Sequence, residues 1–433
     1  MNPALPVMGS VVALLAGICF FRIPIGLLLT AIGFAGYAAL DGVDTAVSML
    51  GNEFWSTFSN SGLTVVPLFV FMGQVCFHSG LSGRLYQAIA SWMGHTRGGV
   101  AAATMAACGG FAAICGSNTA TAATMSVVSL PEMRKRNYHP AFAAGVVATG
   151  TTLGAVIPPS VVSIVLGIQT GLSIRKLFIG GGLPGLMLLA FFILTIVWIG
   201  KYKPSLVPAG EKAPMAERVR TLPGLLEALV LFALVVGGLS IGAFTPTEAG
   251  AAGSALALLL GFFRGGLGPR ALAKAVFETM NVSAMIFLLL AGAGCYGKFL
   301  AVSRTPFMVA EWVQGLSVAP AAVLALVFLV YLVGGMLMDA LALLLIPLPI
   351  FFPLVGGLGY DPIWFSLVLL VITTMGAITP PVGASAYVVA SMGRIPLGDV
   401  FRGALFFMPA FFLCIGVMAA FPGLVLFLPG LVR

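Results

Sequence analysis

The sequence predicts an all-α polytopic membrane protein. Of its 433 residues 60% are hydrophobic and only 8% charged, and the mean hydropathy is +1.11. At about 20 apolar residues per helical crossing, the length accommodates about ten crossings. This composition excludes a soluble enzyme, a nucleic-acid-binding domain and a disordered chain, and makes the lipid bilayer the first partner. The net charge of +8 therefore bears on which loops face the cytoplasm, not on a polyanion. Cys19, Cys76, Cys108, Cys115, Cys295 and Cys414 show no CxxC spacing and lie mostly in apolar runs, so they read as small packing residues.

No Lys or Arg precedes the first apolar run, and the first basic residue is Arg22. That is the reverse of a signal peptide's charged start and predicts an uncleaved first helix with its N-terminus outside. Segment 8–21 then enters and 24–40 returns. Asp41, Asp44 and Glu53 follow without a basic residue, as in an outside loop, and 62–80 goes back in. In 81–97 the residues Leu81, Leu85, Ile89, Trp92 and Met93 recur near helical spacing, flanked by Arg84, His95 and Arg97, which predicts a helix on the inner surface. From Gly98 to Pro131 the chain is apolar but broken at Gly116-Ser117-Asn118-Thr119, and it ends at Arg134-Lys135-Arg136. With basic residues at both ends on one side, the segment is expected to be a re-entrant hairpin, 98–133, whose polar tip is buried in protein or lines a cavity.

The next segment, 140–170, crosses outward and is interrupted at Ile157-Pro158-Pro159-Ser160, where two prolines free helix carbonyls. Segment 177–199 returns. The linker 200–222 carries Lys201, Lys203, Lys212, Arg218 and Arg220 against Glu211 and Glu217 and reads as an exposed cytoplasmic loop. Segment 224–242 goes out, Thr245-Pro246-Thr247-Glu248 turns, 249–263 returns to Arg264, Arg270 and Lys274, and 276–297 goes out. A second surface helix is expected at 304–316, a second hairpin at 320–355 with Asp339 near its tip, and a second broken helix at 362–391 with Thr379-Pro380-Pro381 at its break. The turn Arg394, Asp399, Arg402 and a final outward segment from 404 complete the trace. It leaves Arg175, Lys176, Lys298, Arg304 and Arg433 outside and the other sixteen of 21 basic residues inside.

A shift of 222 residues lays TTLGAVIPPS (151–160) on TTMGAITPPV (373–382), Pro131 on Pro353 and Ser117 on Asp339. The trace sends the first copy in from the cytoplasm and the second from outside, an inverted-topology repeat whose discontinuous helices meet near the midplane at the substrate and ion site. One Pro-Pro pair in a membrane helix is ordinarily a packing kink. Two at equivalent positions, each after a hairpin with a polar tip, point to a site. Unwound carbonyls and hydroxyls suit a small hard cation, and free N–H groups at helix ends face an anion. The corresponding units are scaffold helices 1–64, a first repeat 65–199, a linker with scaffold helices 200–275, and a second repeat with the C-terminal helix 276–433.

The stretches GSNTATAATMSVVSLPEM (116–133), ATGTTLGAVIPPSVVSIVLGIQTGLSIRKLFIGGGLPGL (148–186), FTPTEAGAAG (244–253), GMLMDALALLLIPLPIFFPLVGGLGYDPIWF (335–365) and ITTMGAITPPVGASAYVVASM (372–392) together resemble the large membrane subunit of tripartite ATP-independent periplasmic (TRAP) transporters, the DctM-like family. The resemblance runs over nearly the whole chain. It implies a sodium-driven importer in a bacterial inner membrane, working with a small four-helix membrane subunit and a periplasmic substrate-binding protein, with no organic cofactor and two or more coupling Na+ ions. It also implies an elevator movement, with 81–97 and 304–316 as arms joining the hairpin domain to a scaffold. Carried onto matching positions, a first sodium site lies between Gly116, Ser117, Asn118, Thr119 and Thr152, Gly154, Pro158, Pro159. A second lies between Gly335, Met338, Asp339 and Gly376, Thr379, Pro380, Pro381, Gly383. The anionic substrate is expected between the tips, near Ser117, Asn118, Thr119, Pro159, Pro381 and Val382. The first tip departs from the family pattern, in which Gly-Ser is followed by small residues. The expected cargo runs from sialic and sugar acids to four-carbon dicarboxylates.

Asp339 is the one acidic residue expected deep in a hairpin, and sodium ligand, cap of the tip's N–H groups and proton carrier all remain open for it. Glu132 reads as a surface ion-pair partner, Glu248 as a helix-start cap, and Arg175 and Arg394 as solvated loop charges. His78, His95 and His139 match no metal spacing. Gly238-Leu239-Ser240-Ile241-Gly242 formally matches G-x-S-x-G but lacks a strand-turn-helix context and a histidine beside it, and neither HExxH nor a phosphate loop occurs. An enzyme is not expected. A channel fits the hairpins, but the paired broken helices favour a carrier. The alternative function is a stand-alone sodium/carboxylate symporter of similar architecture.

Overall fold

The computed structural model describes residues 4–17, 23–208, 210, 212–264, 266–315 and 318–431. Cys19, Arg22, Glu211 and Arg433, with the expectations attached to them, lie outside the described residues, among which there is no β-strand. The chain is an all-helical polytopic membrane protein. Six of the described helices are long and apolar enough to span a membrane, and shorter apolar helices pair across breaks.

The chain opens with α1 (Ala4–Ala16), α2 (Ile25–Asp41), α3 (Val43–Phe58) and α4 (Val65–His78). The helix α3 occupies most of the stretch expected as a loop. Ala46 and Met49 are buried and Glu53 pairs with Lys298 at 3.6 Å, so a few inward residues hold a helix whose remaining positions, apolar Val43, Val47 and Trp55 among them, stay largely exposed. Next come α5 (Leu81–Met93), α6 (Gly99–Cys115), α7 (Asn118–Lys135), α8 (Pro140–Thr151), α9 (Leu153–Val156), α10 (Val161–Thr170) and α11 (Ile174–Tyr202).

The linker is shorter than expected, because α12 (Met215–Phe232) begins inside it. Arg218 sits 5.7 Å from the Trp92 ring centroid and Thr221 meets Ser91 at 2.9 Å, contacts that hold this turn against α5. A π turn leads to α13 (Gly238–Ile241), then α14 (Pro246–Phe263) and α15 (Pro269–Val302). The boundary expected between 275 and 276 falls within α15. Beyond Pro269, at its first position, no proline interrupts this helix, and Lys274 pairs with Glu278 one turn on.

The remaining helices are α16 (Thr305–Gly315), α17 (Pro320–Gly335), α18 (Ala340–Leu345), α19 (Leu348–Gly357), α20 (Pro362–Gly376), α21 (Ala384–Gly393), α22 (Leu397–Leu405), α23 (Met408–Ala420) and α24 (Pro422–Gly430). The returning limb of the second hairpin is split at Pro347, which has no N–H to continue α18.

Helix signals recur at the 222-residue spacing. Ser117 and Asp339 are N-caps, Pro131 and Pro353 lie inside the returning limbs, and Pro140 and Pro362 open the broken helices. Those broken helices form the centre of the molecule: Thr151–Ser160 and Trp364–Ile378 are buried throughout, and α20 packs on α9, α11 and α17.

Candidate functional site

The first hairpin turns at Gly116, whose φ of +61° is left-handed, and Ser117 then caps α7 by accepting from the Ala120 N–H at 3.4 Å. The turn docks on the break in the facing helix, where the Val161 N–H donates to the Gly116 carbonyl at 3.1 Å. A Cβ on Gly116 would lie 2.6 Å from the Pro159 carbonyl oxygen, so only glycine allows this approach. A Cβ on Gly154 would lie 3.1 Å from both the Asn118 Oδ1 and the Ser117 carbonyl. Gly116, Ser117, Asn118, Gly154 and Pro159 are thus brought together, with Thr152 and Pro158 adjacent in chain. Thr119 touches the Ser117 hydroxyl at 3.2 Å but is itself exposed.

Asn118 is 6% exposed, and its Oδ1 has no hydrogen-bond partner among the described residues; the Thr149 hydroxyl is likewise buried and unpartnered. The Asn118 oxygen, unpaired and neutral beside a tip and an unwound helix, is the kind of ligand that suits a hard monovalent cation. Thr152 instead spends its hydroxyl proton on the Thr149 carbonyl at 2.6 Å.

In the second half the Val382 and Gly383 N–H groups donate to the Met336 carbonyl at 3.1 and 3.2 Å. Gly383, with φ +55°, is the 222-residue counterpart of Val161, so equivalent N–H groups bind the two tips. Gly335 packs on Gly376 with no room for a side chain on either, and the Thr379 hydroxyl donates to the Met375 carbonyl at 2.7 Å. Asp339 caps α18, its Oδ2 accepting from the Leu341 N–H at 3.2 Å, and Met338 precedes it at the tip. The capping role left open for Asp339 is therefore present, and a carboxylate that caps a helix still has lone pairs for a cation.

The two breaks differ in exposure. Pro158, Pro159 and Ser160 are buried, whereas Pro380, Pro381 and Val382 are exposed, Val382 by 45%. The halves are joined where the Arg134 guanidinium donates to the Gly393 carbonyl, with Leu130 packed on Gly393. The sequence reading did not single out Ser160, the buried cap of α10, Thr149, or the Met336 carbonyl. The signal for Ser160 was its alignment with Val382; a carbonyl acceptor leaves none.

Outside this region Thr245 and Glu248 form the expected capping box, with the Thr245 N–H donating to Glu248 at 2.8 Å. Glu132 pairs with Lys135 at 2.7 Å on the surface, and Arg175 donates to the Ser240 carbonyl at 2.9 Å rather than standing free in solvent.

Comparison with known proteins agrees with this architecture. The family described as the tripartite ATP-independent periplasmic transporter, DctM component, matches residues 11–424. The C4-dicarboxylate TRAP transporter large permease protein DctM of Pseudomonas aeruginosa is 32% identical over 385 residues, covering 89% of this chain and 90% of that protein. The sialic acid TRAP transporter large permease protein SiaM of Vibrio cholerae is 30% identical, covering 96% of each. Among solved structures, the Alcanivorax borkumensis YdaH transporter shares the fold with a TM-score of 0.60 at 17% identity, covering 89% of this chain and 90% of that one. Neisseria gonorrhoeae MtrF does so with 0.56 at 14%, covering 88% and 85%. The TRAP relatives are permeases and not enzymes, and they make the chain a multi-pass protein of a bacterial inner membrane. With the family matched along nearly the whole sequence and the tips docked on two broken helices, the chain belongs to the DctM family, the large permease component of TRAP transporters.

Proposed function

We propose that this permease imports carboxylate-bearing organic acids by coupling to sodium, together with a small four-helix membrane subunit and a periplasmic binding protein. The observation that carries the reading is the buried, unpartnered Asn118 Oδ1 at a hairpin tip docked on an unwound helix. One sodium ion would sit among Asn118, Ser117 and the break at Thr152–Pro159, and another among Asp339, Met338 and the break at Gly376–Gly383, with the anion between the tips. The relatives named for C4-dicarboxylates and sialic acid support a carboxylate cargo. An isethionate permease protein, DctMQ, of Oleidesulfovibrio alaskensis, is 31% identical over 385 residues, yet the match covers only 60% of its length, which fits a fused second component.

In this reading the two copies lie inverted in the bilayer, and the hairpins and broken helices move as one body, joined by Arg134 and Gly393, against a scaffold made by the remaining helices. The helices α5 and α16 are the arms. The test is uptake of labelled organic acids into proteoliposomes holding this chain and its small partner, with and without a sodium gradient and the binding protein. Uptake that needs both is expected. Sodium-driven uptake without the binding protein would replace the reading with a stand-alone sodium/carboxylate symporter, and uptake indifferent to sodium would end it.

A further inference from the structure

Glu227 lies inside the apolar run of α12, and its side chain is only 5% exposed. Arg84 of α5 donates Nε and Nη2 to its Oε2 at 3.0 and 2.9 Å, and Arg264, the residue after α14, places Nε 2.7 Å from Oε1. Arg84 also donates Nη1 to the Ser79 carbonyl at 2.8 Å, at the end of α4. One buried carboxylate thus ties together the ends of α4, α5 and α14 on the side of α12. The backbones close around it: a Cβ on Gly224 would lie 2.7 Å from the Arg84 carbonyl oxygen.

An ion cluster of this kind is a poor source of bulk stability, because desolvation offsets the attraction and apolar residues of equal size would fill the space at no loss. What it supplies is a fixed direction, since Arg84 holds the carboxylate with two hydrogen bonds while Arg264 stands in charge contact with its other oxygen. The helix so fixed is the one that leads straight into the first hairpin, packing on α6 and joining it through Gly98, whose φ is +74°.

We propose that Glu227 is a positioning residue for transport, anchoring the α5 arm to α12 and α14 so that the first hairpin moves from a fixed end. The inference rests on the proposed sodium-coupled movement and assigns Glu227 no part in ion or substrate binding. The test is uptake by the complete system with Glu227→Gln, which keeps shape and removes the charge, and with the exchange Arg84→Glu, Arg264→Glu and Glu227→Arg, which reverses every charge of the cluster. The expected result is a maximal rate lowered roughly tenfold in Glu227→Gln, a half-saturating sodium concentration within about twofold of the parent, and partial recovery of rate in the exchange variant.

Gel filtration of both variants with their small partner checks folding. A Glu227→Gln rate within about twofold of the parent would overturn the proposal, as would a half-saturating sodium concentration moved more than about fivefold with the rate unchanged. Should parent uptake prove indifferent to sodium, the coupling reading falls, and the rate comparison on the sodium-independent uptake still decides the role of Glu227.

Discussion

Gly335 and Gly376 pack backbone against backbone, such that a Cβ built on Gly376 would lie 2.6 Å from the Gly335 Cα and one built on Gly335 would lie 3.0 Å from the Gly376 Cα. Neither neighbour is a flexible side chain that can move aside. Gly376→Ala is therefore expected to push the second tip off the broken helix and, on the proposed coupling, to raise the half-saturating sodium concentration by about tenfold, equivalent to about 1.4 kcal/mol. Gly356→Ala, at a position with open space around it, serves as the control and is expected to leave uptake unchanged. Equal behaviour of the two variants in a sodium titration of uptake would contradict this account of the tip.

The unpartnered Asn118 oxygen leads to a second prediction. Asn118→Ala removes that oxygen without leaving a partner unpaired, so thermal stability in sodium-free buffer should fall little, because the native oxygen has no hydrogen bond to lose. Stabilisation of the protein by added sodium, read as the rise in Tm from zero to high sodium, should shrink strongly. A rise equal to the parent's would remove Asn118 from the ion site.

Ser117 and Asp339 each hold a helix end, and loss of a cap costs about 1 kcal/mol. The double variant Ser117→Ala with Asp339→Ala should fold, destabilised by about 2 kcal/mol, and fail to accumulate substrate. Unaltered uptake in this variant would refute the assignment of both tips.

The capping box at Thr245 and Glu248 predicts a stability effect. Thr245→Ala leaves the Glu248 N–H without its side-chain acceptor and should lower the Tm of the protein, whereas Thr245→Ser keeps the acceptor and should leave it nearly unchanged. Equal Tm values for the two variants would remove the cap.

Much of the fold and part of the site were legible from sequence because their signals are local. Gly116-Ser117 at a hairpin tip, Pro158-Pro159 and Pro380-Pro381 in apolar helices, and Pro140 and Pro362 at helix starts each act on their own turn of chain. The helix α3 was not legible, since only Ala46 and Met49 are fully buried, and Asp44 and Glu53, mixed with the polar Thr45, Ser48, Asn52 and Ser56, gave the stretch the composition of a loop. The early start of α12 was hidden because its first turns carry Glu217, Arg218 and Arg220, the composition of a loop. Glu227 was not singled out from sequence: its partner Arg84 lies 143 residues away and no pattern links them. The docking of both tips through N–H groups onto backbone carbonyls left no side-chain signal at all.

The pairing of Ser117 with Asp339 at one register makes the repeat electrically lopsided. On the proposed coupling, with sodium at both tips, the carboxylate of Asp339 would neutralise the ion beside it, whereas the hydroxyl of Ser117 and the amide of Asn118 would leave their ion a full positive charge. The anion between the tips would be the remaining counter-charge. The obligation to carry cargo and ion together would then reside in the first copy, and exchanging the two caps, Ser117→Asp with Asp339→Ser, would move it to the other.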